Sequence, residues 1–122
     1  MKKTTVLVIE DDKWLAEQYV RVLSRAGFET KVAYHAISAI QFIDKKLPDA
    51  IILDILLTGS TAFTLLHELQ SYADTGAIPI VLCTSLAGDL PSNTLGYYGV
   101  KKILDKTTMR PDDLISSVRS VL

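Results

Sequence analysis

Three continuous apolar runs constrain this chain more than anything else in it: VLVI at residues 6–9, AIIL at 50–53 and IPIVLC at 78–83. None alternates with polar residues, so each reads as a strand buried on both faces rather than one side of an open sheet. Two weaker runs, at 29–34 (ETKVAY) and 102–105 (KILD), complete a set of five. Between them the apolar period changes from two to about 3.6. Leu15, Tyr19, Val22, Leu23 and Ala26 share one helical face, with Asp12 as N-cap and Gly27 as stop. Ala36, Ile40 and Ile43 share another, ended by Pro48. A third helix is expected over about 62–72. A last one follows Arg110, with Pro111 in its first turn, Asp112 and Asp113 favoured there by the helix dipole, and Leu114, Val118 and Val121 facing inward. Strands alternating with helices imply a doubly wound α/β fold around a five-stranded parallel sheet.

The slot between the fourth and fifth strands, residues 85–99, is irregular. It carries Gly88, Pro91, Gly96 and Gly99. An interior glycine costs a helix about 1 kcal/mol and an interior proline about 3 kcal/mol, so a short or frayed fourth helix is expected.

Composition excludes several classes. The chain has 122 residues, the size of one domain, and no repeat, linker or low-complexity segment, so residues 1–122 are expected to form a single domain with no output domain attached. A net charge of −1 gives no pull towards nucleic acid or an anionic membrane. The apolar start is too short for a signal peptide and meets acids at once, and no run approaches the roughly 18 residues that span a bilayer. The single cysteine, Cys83, forms no internal disulfide, which fits a cytoplasmic location. It reads as core. His35 and His67 read as surface residues without catalytic partners.

Polar residues follow the strands in a pattern. Glu10 and Asp11 follow the first, Asp54 the third, Thr84 the fourth and Lys106 the fifth. In open α/β sheets the ligand site lies beyond the carboxyl ends, where strand order reverses. With the order 2-1-3-4-5, Glu10, Asp11 and Asp54 meet in one pocket. Carboxylates about 4 Å apart repel by about 4 kcal/mol per pair at an effective dielectric of 20. Such a cluster needs protonation or a cation, and hard oxygen donors in an open geometry suit Mg²⁺. A phosphoryl group arriving at Asp54 could be neutralised by that metal and by Lys106, with the Thr84 hydroxyl as a donor. Asp54 then reads as a nucleophile.

The strand-end series, with the stretches VLVIEDD, PDAIILD and PIVLCTS, resembles the receiver domain of two-component response regulators, the CheY-like family, along the whole chain. The resemblance implies a flavodoxin-like fold with Asp54 as phosphoacceptor. Asp11 would bind Mg²⁺ directly and Glu10 through water, and the backbone carbonyl of Leu56 would complete the shell. Thr84 would move to the phosphoryl oxygen on activation, and Lys106 would pair with it. The phosphoryl donor would be a histidine kinase or a histidine phosphotransfer protein, and the output an unidentified downstream protein reached by contact.

The chain departs from the family pattern at four places. Thr58 and Ala62 stand where a proline and a glycine are usual. Thr107 follows Lys106 where proline in a cis peptide is usual; a cis bond without proline costs about 2.5–4 kcal/mol, so a trans peptide and a displaced Lys106 are expected. Ile103 takes the aromatic switch position. Lys101 and Lys102 stand where DNA-binding members carry acids used in dimerisation. The departures leave an alternative: a degenerate pseudo-receiver that binds partners without phosphorylation. A hydrolase passing through an aspartyl phosphate would want an acid where Leu56 stands, and flavin binding would want a phosphate loop after the first strand. No enzyme beyond self-phosphorylation and slow autodephosphorylation is expected. The slowness follows from Leu56 and Leu86, which flank the phosphoryl position in the resemblance and cannot hydrogen-bond an attacking water.

Overall fold

The computed structural model describes residues 3–54, 62–85 and 99–122. The elements, in order, are β1 (Thr5–Ile9), α1 (Lys13–Arg25), β2 (Glu29–Ala33), α2 (Ala36–Lys45), β3 (Ala50–Leu53), α3 (Ala62–Gln70), α4 (Ala73–Gly76), β4 (Ile80–Thr84), β5 (Val100–Asp105) and α5 (Pro111–Val121). The strands form one parallel sheet of order β2-β1-β3-β4-β5, as the alternation predicts. The expected fourth helix falls largely at 86–98, and Leu56, Thr58 and Leu86 also lie outside the described residues.

The two-residue period of the strands divides the core between two faces. Leu7, Ile9, Ile51, Leu53, Ile80 and Leu82 pack with α2 and α3. Val6, Val8, Ala50, Ile52, Val81 and Cys83 pack with α1 and α5. Both sets are almost wholly buried, which is why the central runs contain no polar residue. Ile103 packs against the first face. Lys101 and Lys102 are exposed on the edge strand, where the register skips a residue between Ile80 and Val81 and leaves Lys101 as a bulge.

Local chemistry sets the boundaries. Asp12 caps α1 by accepting the Leu15 amide at 3.1 Å, and Gly27 ends that turn at φ +97°. His35 is more than a surface residue: its Nδ1 accepts the Ser38 amide at 3.2 Å and caps α2. The third helix stops at Gln70, short of the expected end, and a separate turn, α4, follows. The Thr75 hydroxyl donates to the carbonyl of Leu69 and ties the two together.

Candidate functional site

Glu10, Asp54 and Lys106 each follow their strand by one position and extend the ladder by one rung. The Glu10 amide donates to the Ala33 carbonyl at 3.1 Å, Asp54 to Ile9 at 3.1 Å, and Lys106 to Thr84 at 3.1 Å. The backbone beneath the site is therefore sheet in all but name. Thr84 is the last residue of β4 and is fully buried.

This placement brings Glu10, Asp11 and Asp54 together, with one carboxylate oxygen from each within 4.8 Å of the others. Glu10 is 1% exposed and Asp54 4%. Lys106 bridges them: its Nζ lies 2.9 Å from Glu10 Oε2 and 3.1 Å from Asp54 Oδ2. Glu10 Oε1 also accepts the Asp12 amide at 3.3 Å. Burial, with the nearby charge of Asp54, pushes the Glu10 carboxyl up to about 7, although Lys106 pulls the other way. Burial alone would lower the Lys106 ammonium, but its bonds to Glu10 and Asp54 outweigh this and hold it above the ordinary lysine range. The three carboxylates gather hard oxygen donors close enough together to hold a metal ion.

Lys106 corrects one expectation. Its peptide to Thr107 is trans, since there is no cis bond among the described residues, yet its ammonium is not displaced. The reason is a clasp that the sequence reading missed. Asp105 Oδ1 accepts the Thr107 amide at 2.9 Å and the Thr107 hydroxyl at 2.6 Å, closing a tight turn around Lys106. Those two bonds hold the Asp105 carboxyl below its usual range. The signal was present as an aspartate two residues before a threonine, the spacing of an Asx turn.

The other readings divide. Cys83 is core, and burial pushes its thiol up to about 12, so it stays protonated. Trp14 stands exposed on α1. No described helix is long and apolar enough to cross a membrane.

Comparison with known proteins agrees with this geometry. The family model for the response regulator receiver domain matches residues 6–119. The DNA-binding response regulator MtrA of Mycobacterium tuberculosis (strain ATCC 25618 / H37Rv) is 31% identical over 117 residues, covering 96% of this chain and 50% of that protein. The regulatory protein VanRc of Enterococcus gallinarum is 26% identical over 117 residues, covering 96% and 49%. The chain thus spans about half the length of these curated relatives. Among solved structures, a protein designated a response regulator from Chloroflexus aurantiacus J-10-fl is 33% identical with a TM-score of 0.85, covering 98% of both chains. The signal receiver domain of a signal transduction histidine kinase from Syntrophus aciditrophicus is 26% identical with a TM-score of 0.84, covering 98% of this chain and 89% of that one.

Proposed function

Because this chain belongs to the response regulator receiver domain family, we propose that it is a phosphorylatable signalling switch with Asp54 as the acceptor. The observation that carries the reading is the bridge from Lys106 to Glu10 and Asp54 inside a cluster of three carboxylates. In the proposed reaction a carboxylate oxygen of Asp54 attacks the phosphorus of a phosphohistidine on a histidine kinase or histidine phosphotransfer protein. The phosphorus–nitrogen bond breaks, its electron pair returns to the imidazole, and an acyl phosphate forms. Asp11, Asp54, the Leu56 carbonyl and Glu10 would hold Mg²⁺, which would supply charge neutralisation there. Lys106 exchanges its contact with the unphosphorylated Asp54 carboxylate for one with the arriving phosphoryl oxygens. The buried Thr84 hydroxyl donates to the same group.

The chain turns over no free metabolite in this reading, works as one domain in the cytoplasm, and signals by protein contact. MtrA is named as DNA-binding, and this chain matches half of it. Loss of the phosphoryl group is slow because Leu56 and Leu86 offer no hydrogen bond to water. The second reading, a phosphorylation-independent pseudo-receiver, rests on the departures from the family pattern at Thr58, Ala62, Ile103 and Thr107.

Intact mass after incubation with acetyl phosphate and Mg²⁺ separates the two. One added phosphoryl group in the natural chain and none in Asp54→Ala is the expected result. No addition, or the same addition in the variant, overturns the switch in favour of the pseudo-receiver.

A further inference from the structure

The face of β2 that meets α2 carries charge where the neighbouring strands carry carbon. The parallel register sets Leu7 of β1 beside Lys31 of β2, and paired residues point to the same side of a sheet. Leu7 is buried in the core beneath α2 and α3. Lys31 is exposed, and its ion pair among the described residues is with Glu29, at 3.8 Å. The layer between β2 and the last turn of α2 therefore lacks an apolar side chain at that rung. A cavity of about 190 Å³ remains there, walled by Leu7, Phe42 and Pro48. Phe42 is 39% exposed, a large ring left partly in water. Three cations also line the cavity, Lys31, Lys45 and Lys46, and no described carboxylate does. Lys45 and Lys46 are exposed and form no ion pair among the described residues. They end α2, where a cation offsets the helix dipole. That role does not account for Lys31, which reaches the same space from a strand.

We propose that this cavity binds a small aromatic carboxylate, with one ring against Phe42 and the acid among Lys31, Lys45 and Lys46. Volume argues for one ring. An apolar cavity of about 150 Å³ takes a benzene molecule, so about 190 Å³ holds one ring and a short acid arm. Phe42 offers that ring an edge or a face. Charge argues for the carboxylate, since three ammonium groups converge without an acid to neutralise them. The exposed pair of Lys31 with Glu29 is worth little and leaves Lys31 available to a second anion. Acetate or inorganic phosphate would meet the lysines and leave the apolar walls uncovered. The cavity lies towards the amino end of the sheet, away from Asp54, so the proposal does not depend on phosphorylation.

The test uses the full chain, isotopically labelled, and phenylacetate as the probe. Saturable amide shifts at Leu7, Lys31, Phe42 and Lys45 are expected on titration. Phenylethyl alcohol, which keeps the ring and loses the charge, should bind about fivefold more weakly, the scale of exposed ion pairs. Joint Lys45→Gln and Lys46→Gln substitution should weaken phenylacetate by about the same factor with the melting temperature kept. Lys31→Leu supplies the apolar side chain that the layer lacks, and should abolish binding while the melting temperature holds or rises. Absence of saturable shifts with phenylacetate overturns the proposal, as does undiminished binding by either variant. Equal binding of phenylethyl alcohol overturns it in favour of a site for neutral rings. Equal binding of acetate or inorganic phosphate overturns it in favour of a surface anion site.

Discussion

The two ends of the sheet are built from the same strands and solve opposite problems. At the amino end, acids and amides are paired off locally. The Thr5 amide donates to Asp49 Oδ2 at 2.8 Å while the Asp49 amide donates back to the Thr5 carbonyl at 2.8 Å. The Gln70 side chain donates to the Gly76 carbonyl at 3.3 Å, beside Gly99, whose φ of +81° and close neighbour suit only glycine. At the carboxyl end, like charges are gathered and only partly relieved by Lys106. The contrast teaches that this fold places its stability at one end and its unspent electrostatic energy at the other. Substitutions at the two ends should therefore separate stability from chemistry.

The largest expected effect is the pH dependence of stability without metal. Glu10 keeps its proton up to about 7 in the folded chain, against its ordinary 4.5. Between those values the folded state holds more protons than the unfolded one, so stability falls as pH rises through the interval, by at most about 3 kcal/mol. Urea unfolding in chelator at several pH values should show this fall, and Glu10→Gln should flatten it. An unchanged slope in that variant would assign the proton elsewhere.

Next in size is the amino end. Asp49→Ala leaves the buried Thr5 amide without its carboxylate and should cost about 1–2 kcal/mol. Acetyl phosphate labelling of the folded variant should be unaltered. Equal damage to labelling would mean the two ends are coupled through β1.

Mg²⁺ should act on the carboxyl end alone. Binding only the native state at tenfold over Kd adds about 1.4 kcal/mol. The melting temperature should rise with Mg²⁺ in the natural chain and in Asp49→Ala, and stay fixed in Asp11→Ala. A rise in Asp11→Ala would remove Asp11 from the metal site.

The smallest effect on stability should come from Thr107→Val, which removes the hydroxyl bond to the exposed Asp105 clasp. The labelling rate should fall severalfold while the melting temperature moves little, because the turn positions Lys106. Equal small losses in both would make the clasp merely structural.

The sequence made the sheet legible because its apolar runs are uniform and each stops at a polar residue. Glu10, Asp54 and Thr84 stand at that stop, and Asp11 and Lys106 one residue beyond it. What it concealed was side-chain-to-backbone bonding at short range. His35 caps a helix without being one of the residues that usually do so. Thr75 closes α4 through a carbonyl six residues back. Lys106 was expected out of place because proline was missing after it, while the carboxylate that does the same work stood one residue before it. Apolar period reports burial, and none of these three contacts is about burial.

The extra rung beneath Glu10, Asp54 and Lys106 carries a consequence for descent with modification. Those three residues take their backbone positions from neighbouring strands, through the carbonyls of Ala33, Ile9 and Thr84, and not from any helix. Mutations that rewrite the outward faces of α1, α2 or α5 can accumulate without moving the reacting groups. A lineage of such chains can exchange one partner for another while its reaction centre stays as it was.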